Sequence, residues 1–63
     1  MNIDDNFNSA SHYLEVAKEQ VAMQDYENSL SSLSQAYSHT RALLEQVFKL
    51  QALKVHVSDQ NGG

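Results

Sequence analysis

Three ionisable side chains in the first half of the sequence could bind a cation. His12, Glu15 and Glu19 share one side of a predicted helix through i, i+3 and i+7 spacing. Imidazole and carboxylate groups are common metal ligands. However, no second group of ligands matches this one, and such a cluster on a solvent-facing side arises mostly by chance. We therefore predict no metal site.

Nucleophilic and phosphate chemistry lack the residues that they need. His39 and His56 are isolated in the sequence, and no serine stands in the glycine-flanked turn that exposes a catalytic nucleophile. The only glycines are residues 62 and 63, so no glycine-rich loop is available to hold a phosphate. We predict a protein that is not an enzyme and that uses no cofactor.

The segment 28–34, together with Ser38, is rich in serine. One interpretation is a surface for modification or recognition. The other is a row of small polar residues that lets a neighbouring helix approach closely, opposite Ala10 and Ala17. We favour the second interpretation.

The charge of this 63-residue chain is −4 and is unevenly spread. Residues 1–27 carry six acids and one lysine, whereas residues 28–57 carry a net +2. Nucleic-acid affinity grows with the number of Lys and Arg that neutralise phosphates, so nucleic acid is an unlikely partner.

No apolar run nears the ~18 residues that span a bilayer, and residues 1–5 lack the pattern of a signal peptide. We expect no membrane association and a cytoplasmic location.

The apolar spacing predicts two helices. In the first half, apolar residues alternate at spacings of 4 and 3 from Ile3 to Val21, which indicates helix 1 over about 7–23. Asp25 is the expected N-cap of helix 2, where the same spacing resumes at Tyr26 and indicates a helix over about 26–56. We predict that residues 58–63 form a disordered tail.

The interruption of this pattern at Gln24 predicts an all-α antiparallel hairpin over residues 1–57, with a short helix 1 and a long helix 2. A single bent helix is the alternative, because the turn contains no glycine. The larger apolar residues, with two alanines, are predicted to form the intrachain core: Phe7, Ala10, Leu14, Ala17, Val21, Leu30, Leu33 and Tyr37.

The difference in helix length predicts self-association. Helix 1 covers only the first half of helix 2, although the second half is the more apolar. A chain this short buries only about 60% of its unfolded surface, so a monomer is marginal. We predict a homodimer that forms a four-helix assembly. Its interface is predicted to contain Leu43, Leu44, Val47, Phe48 and Leu50.

Two resemblances follow from the sequence. Residues 17–30 are similar to one tetratricopeptide-type hairpin, with Gln24-Asp25-Tyr26 where such repeats often have Gly-Asp-Tyr. Because stacking needs about three repeats, we attribute this likeness to shared hairpin physics.

The whole chain resembles the small early proteins of the exo–xis region of lambdoid bacteriophages in its length, its Met-Asn-Ile-Asp-Asp start, its acidic balance and its hairpin pattern. That resemblance implies a viral protein in the host cytoplasm that binds host proteins and biases the lysis–lysogeny decision.

These observations favour a small regulatory accessory protein that acts by protein–protein interaction. Its expected partners are a second copy of itself and a host or other protein. Two alternatives remain. One is a weak nucleic-acid-binding regulator that uses Arg41, Lys49 and Lys54. The other is a co-chaperone whose apolar second half sequesters a client helix.

Overall fold

The protein is an all-helical hairpin of a short helix followed by a long one, α1 (Ile3–Ala22) and α2 (Tyr26–Gly62). A computed structural model describes the backbone of residues 2–62 and the side chains of residues 2–54. Within that part of the chain there is no strand. The two helices pack antiparallel in a rod of 57 × 16 × 15 Å. The turn between them excludes the alternative of a single bent helix.

α1 begins four residues earlier than the spacing predicted, and Asn2 is the reason. The Asn2 side chain caps the helix by accepting a hydrogen bond from the Asp5 amide at 2.8 Å. Asp4 and Asp5 then lie in the first turn, where the helix dipole favours negative charge. The helix ends at Ala22, one residue before the predicted end.

The turn is a Schellman motif built without glycine. Gln24 adopts the left-handed conformation with φ 61°. Its amide donates to the Val21 carbonyl at 2.9 Å, and the Asp25 amide donates to the Gln20 carbonyl at 2.8 Å. Asp25 also caps α2 as predicted, because its carboxylate accepts from the Asn28 amide at 3.4 Å and from the Asn28 side chain at 2.7 Å.

α2 continues further than predicted. Its backbone is helical to Gly62, whereas the sequence predicted an end near residue 56 and a tail over 58–63. No proline or glycine precedes Gly62 to end the helix, and Gly63 lies outside the described residues. In the antiparallel hairpin, α2 therefore extends about 16 residues, or about 24 Å, beyond the start of α1 at Ile3.

Hydrogen bonds between the helices set their alignment. The Asn6 side chain bonds to both His39 and Gln46, and the Gln20 side chain accepts from Ser32 at 2.7 Å. The start of α1 therefore lies beside residues 39–46 of α2. The end of α1 lies beside the beginning of α2.

Candidate functional site

The buried stripe between the helices consists mainly of small and polar residues. Asn6, Ala10 and Ala17 are buried on α1, and α2 contributes small residues of the serine-rich segment. Leu43, 7% exposed, is the one large apolar side chain buried in the described part of the chain. We call this stripe the interhelical seam, and its members are Asn6, Ala10, Tyr13, Ala17 and Gln20 on α1, and Ser29, Ser32, Ala36, His39, Leu43 and Gln46 on α2.

Two serines of the serine-rich segment 28–34 therefore have a structural explanation. Ser29 and Ser32 are buried in the seam, where their hydroxyls donate to the Tyr26 carbonyl and to the Gln20 side chain at 2.7 Å each. Such small side chains allow the two helix backbones to approach closely. The remaining serines of the segment are exposed.

The predicted intrachain core is largely wrong. Ala10 and Ala17 are buried as expected. The six larger residues are instead 42–69% exposed in the single chain, and they are Phe7, Leu14, Val21, Leu30, Leu33 and Tyr37. The 4–3 spacing gave the right period but the wrong face, because a second stripe with the same period lies one residue away along both helices.

Leu43 also corrects the predicted dimer interface. It packs in the interhelical seam of its own chain and is not available to a partner. The other four residues of that predicted set, Leu44, Val47, Phe48 and Leu50, are 47–71% exposed. Leu50 lies seven residues after Leu43, where the seam continues beyond the start of α1.

Among the described side chains, eight of the thirteen exposed large apolar residues gather on one side of the hairpin. Each of these eight directly follows a seam residue, as Phe7 follows Asn6 and Leu44 follows Leu43. One residue turns an α-helix by about 100°. Viewed from one end, antiparallel helices wind in opposite senses, so this turn points to the same side of both. We call this surface the apolar face, formed by Phe7, Leu14, Val21, Leu30, Leu33, Tyr37, Leu44 and Val47.

The apolar face is large for a chain of this size. A large apolar side chain has about 200 Å² of surface, so eight of them, roughly half exposed, present on the order of 800 Å². The largest apolar patch on a typical monomer is about 300–600 Å². At the far end, Leu44, Glu45, Phe48 and Lys49 line an open depression of about 440 Å³ on α2.

A polar cluster in the seam joins the two helices. Asn6 is 3% exposed, donates to Gln46 Oε1 at 2.9 Å and lies 3.0 Å from His39 Nδ1 through its own Oδ1. The Tyr13 ring stacks on His39 at 5.8 Å. Because a displaced helix would leave the buried Asn6 amide without these partners, this cluster fixes the alignment of α1 on α2.

In the described part of the chain, no group of three or more His, Asp or Glu side chains could hold a metal ion. His12, Glu15 and Glu19, which the sequence raised as possible cation ligands, are not part of such a site in the structure. The His12 ring lies edge-on to Tyr13 at 5.3 Å. Among the same residues, no helix is sufficiently long and apolar to cross a membrane.

Comparison with protein families, with curated proteins and with solved structures gives no match for this chain. The resemblance to bacteriophage early proteins therefore stays a prediction.

Proposed function

We propose that this chain is a non-enzymatic protein-interaction module whose apolar face packs against helices of another polypeptide. The observation that carries the proposal is an inversion of the usual burial pattern. Small and polar residues fill the interhelical seam, whereas eight large apolar side chains stay exposed together on one side. Full burial of such a side chain stabilises a protein by about 1.5–3 kcal/mol relative to exposure, so this face has much to gain from a partner.

The small seam also implies that the hairpin is weak alone. Four apolar residues, three of them alanines, are buried among the described side chains. Ordering each residue costs about 1.5 kcal/mol, which the burial of a few methyl groups does not offset. We propose that folding of the hairpin depends on covering its apolar face.

The proposal extends to a regulatory role. A chain with a single large contact surface acts by binding, and its acidic outer residues leave a second surface for a host or other protein. The resemblance to lambdoid bacteriophage early proteins supports a viral protein of the host cytoplasm that modulates host factors and the lysis–lysogeny decision.

The arrangement of the basic residues does not favour nucleic-acid binding. At 100° per residue, Lys49 lies about 80° around α2 from Arg41, and Lys54 lies about 140° from each of them. The three cations therefore point to different sides of the helix and form no continuous basic stripe along it. Phosphate contacts along a duplex need such a stripe.

Circular dichroism over a dilution series tests the dependence of folding on a partner. We expect the helix signal of the purified chain to fall as concentration falls, or to be low throughout if the required polypeptide is a different protein. An apolar dye should bind only where the helix signal is low or the face is uncovered. A chain that stays fully helical and monomeric at every concentration, without binding the dye, would contradict the proposed function.

A further inference from the structure

Resting on the proposed function, we infer that the polypeptide on the apolar face is a second copy of this chain. The two copies pack antiparallel across a two-fold axis that lies between the two α2 helices, level with the midpoint between Ser38 and His39. In this dimer the contact runs along the whole length of the hairpin and is not confined to the second half of α2.

The spacing of the α2 residues on this side is self-complementary. Leu30, Leu33, Tyr37, Thr40, Leu44 and Val47 follow one another at intervals of 3, 4, 3, 4 and 3, which read the same in both directions. A two-fold contact requires that when residue i meets residue j, j also meets i. When the second α2 runs antiparallel to the first, Leu30 of one copy meets Val47 of the other, Leu33 meets Leu44, and Tyr37 meets Thr40.

Thr40 fits an apolar contact in spite of its hydroxyl. Its Oγ1 donates to the Ala36 carbonyl of its own helix at 2.8 Å. The hydroxyl therefore needs no partner from the second copy, and the methyl group is left for packing. Opposite Tyr37, this small residue leaves room for the ring, whereas a parallel arrangement would place Tyr37 against Tyr37.

The charges favour the antiparallel orientation. The turn end of the hairpin carries Asp25 and Glu27, and the far end of α2 carries Lys49 and Lys54. Reversal about the same axis brings Glu27 of one copy within one residue of the level of Lys49 in the other, and the two-fold axis repeats this. A parallel pair would place the acidic turns beside each other.

The area of the apolar face and the length of α2 both agree with a second copy as the partner. A face on the order of 800 Å² matches what one partner contributes to a stable interface of standard size, about 800 Å². Met23 in the turn and Tyr26 at the start of α2 are exposed and come within one residue of the level of Leu53 and Leu50 of the second copy, where α2 has passed the start of its own α1. The extension of α2 thus reaches apolar residues of the other hairpin.

Cysteine crosslinking tests the pairing, because the chain has no natural cysteine. In the proposed dimer the two copies of residue 40 are offset by about 5 Å along the helix axis, and the two copies of residue 30 by about 25 Å. With a short bismaleimide reagent, Thr40→Cys should give at least tenfold more joined dimer than Leu30→Cys. A mixture of Leu30→Cys with Val47→Cys should join, although neither does so alone.

Gln35→Cys is the matched control, because Gln35 is exposed and precedes a seam residue, which places it on the opposite side of α2. It should join no more than Leu30→Cys. Circular dichroism checks that each variant is helical. Joining of Leu30→Cys to itself would overturn the antiparallel pairing, and helical variants that do not join would overturn the dimer. A chain that is unfolded and monomeric alone would overturn this inference while leaving the proposed function standing.

Discussion

Gln24 shows how one residue position limits the stability of the hairpin. The Schellman motif requires a left-handed residue after α1, and a glutamine occupies this position with φ 61°. A residue with a Cβ pays about 1–2 kcal/mol for that conformation, whereas glycine does not. The hydrogen bonds of the turn are all formed, but glutamine at position 24 is less favourable there than glycine.

Gln24→Gly should raise the free energy of unfolding by about 0.5–1 kcal/mol, the conformational gain being reduced by the greater freedom of glycine in the unfolded chain. The measurement is urea unfolding followed by circular dichroism at a fixed protein concentration. Gln35→Gly is the control within a helix and should lower stability by about 1 kcal/mol. Equal losses in both variants would show that the turn conformation carries no strain.

At the scale of the helices, the small residues of the seam set how closely α1 approaches α2. Ala17 is 2% exposed and lies in the seam near the serines of α2. A larger side chain there has no space to occupy and would force the helices apart. Of the seven leucines of the chain, all of them within the described residues, Leu43 alone is buried between the helices.

Ala17→Leu should therefore destabilise the protein by about 1–3 kcal/mol, because overpacking displaces the helices. Ala22→Leu makes the same change at an exposed position at the end of the same helix and should alter stability by less than about 0.5 kcal/mol. Thermal and urea unfolding measure both. Similar stability of the two variants would mean that the seam has room for a leucine.

The elements were predictable from the sequence, but their packing faces were not. Apolar periodicity and the Asp25 cap predicted two helices, the turn and the hairpin, because these depend on local chemistry. The seam was missed because two stripes, one residue apart, share the same period. Large residues such as Leu33 and Tyr37 were assigned to the inside on their apolar spacing, and spacing does not distinguish a face that packs within the chain from one that stays exposed.

At the scale of the whole molecule, the structure divides its contacts by chemistry. The polar cluster of Asn6, His39 and Gln46 specifies how the chain folds on itself. The apolar face provides most of the surface that a partner could bury. From this division we expect stability to depend on association, so that the folded hairpin and its complex form together.

Sedimentation equilibrium of the wild type, Leu44→Asp and Gln35→Asp tests the central claim most directly, with circular dichroism on the same samples. Both substitutions add one negative charge to α2, the first on the apolar face and the second on the opposite side. A charge buried in an apolar contact without a partner is strongly destabilising. We predict twice the 7.1 kDa mass of one chain for the wild type and Gln35→Asp, and an unfolded monomer for Leu44→Asp. A Leu44→Asp variant that stays helical and dimeric would contradict the account.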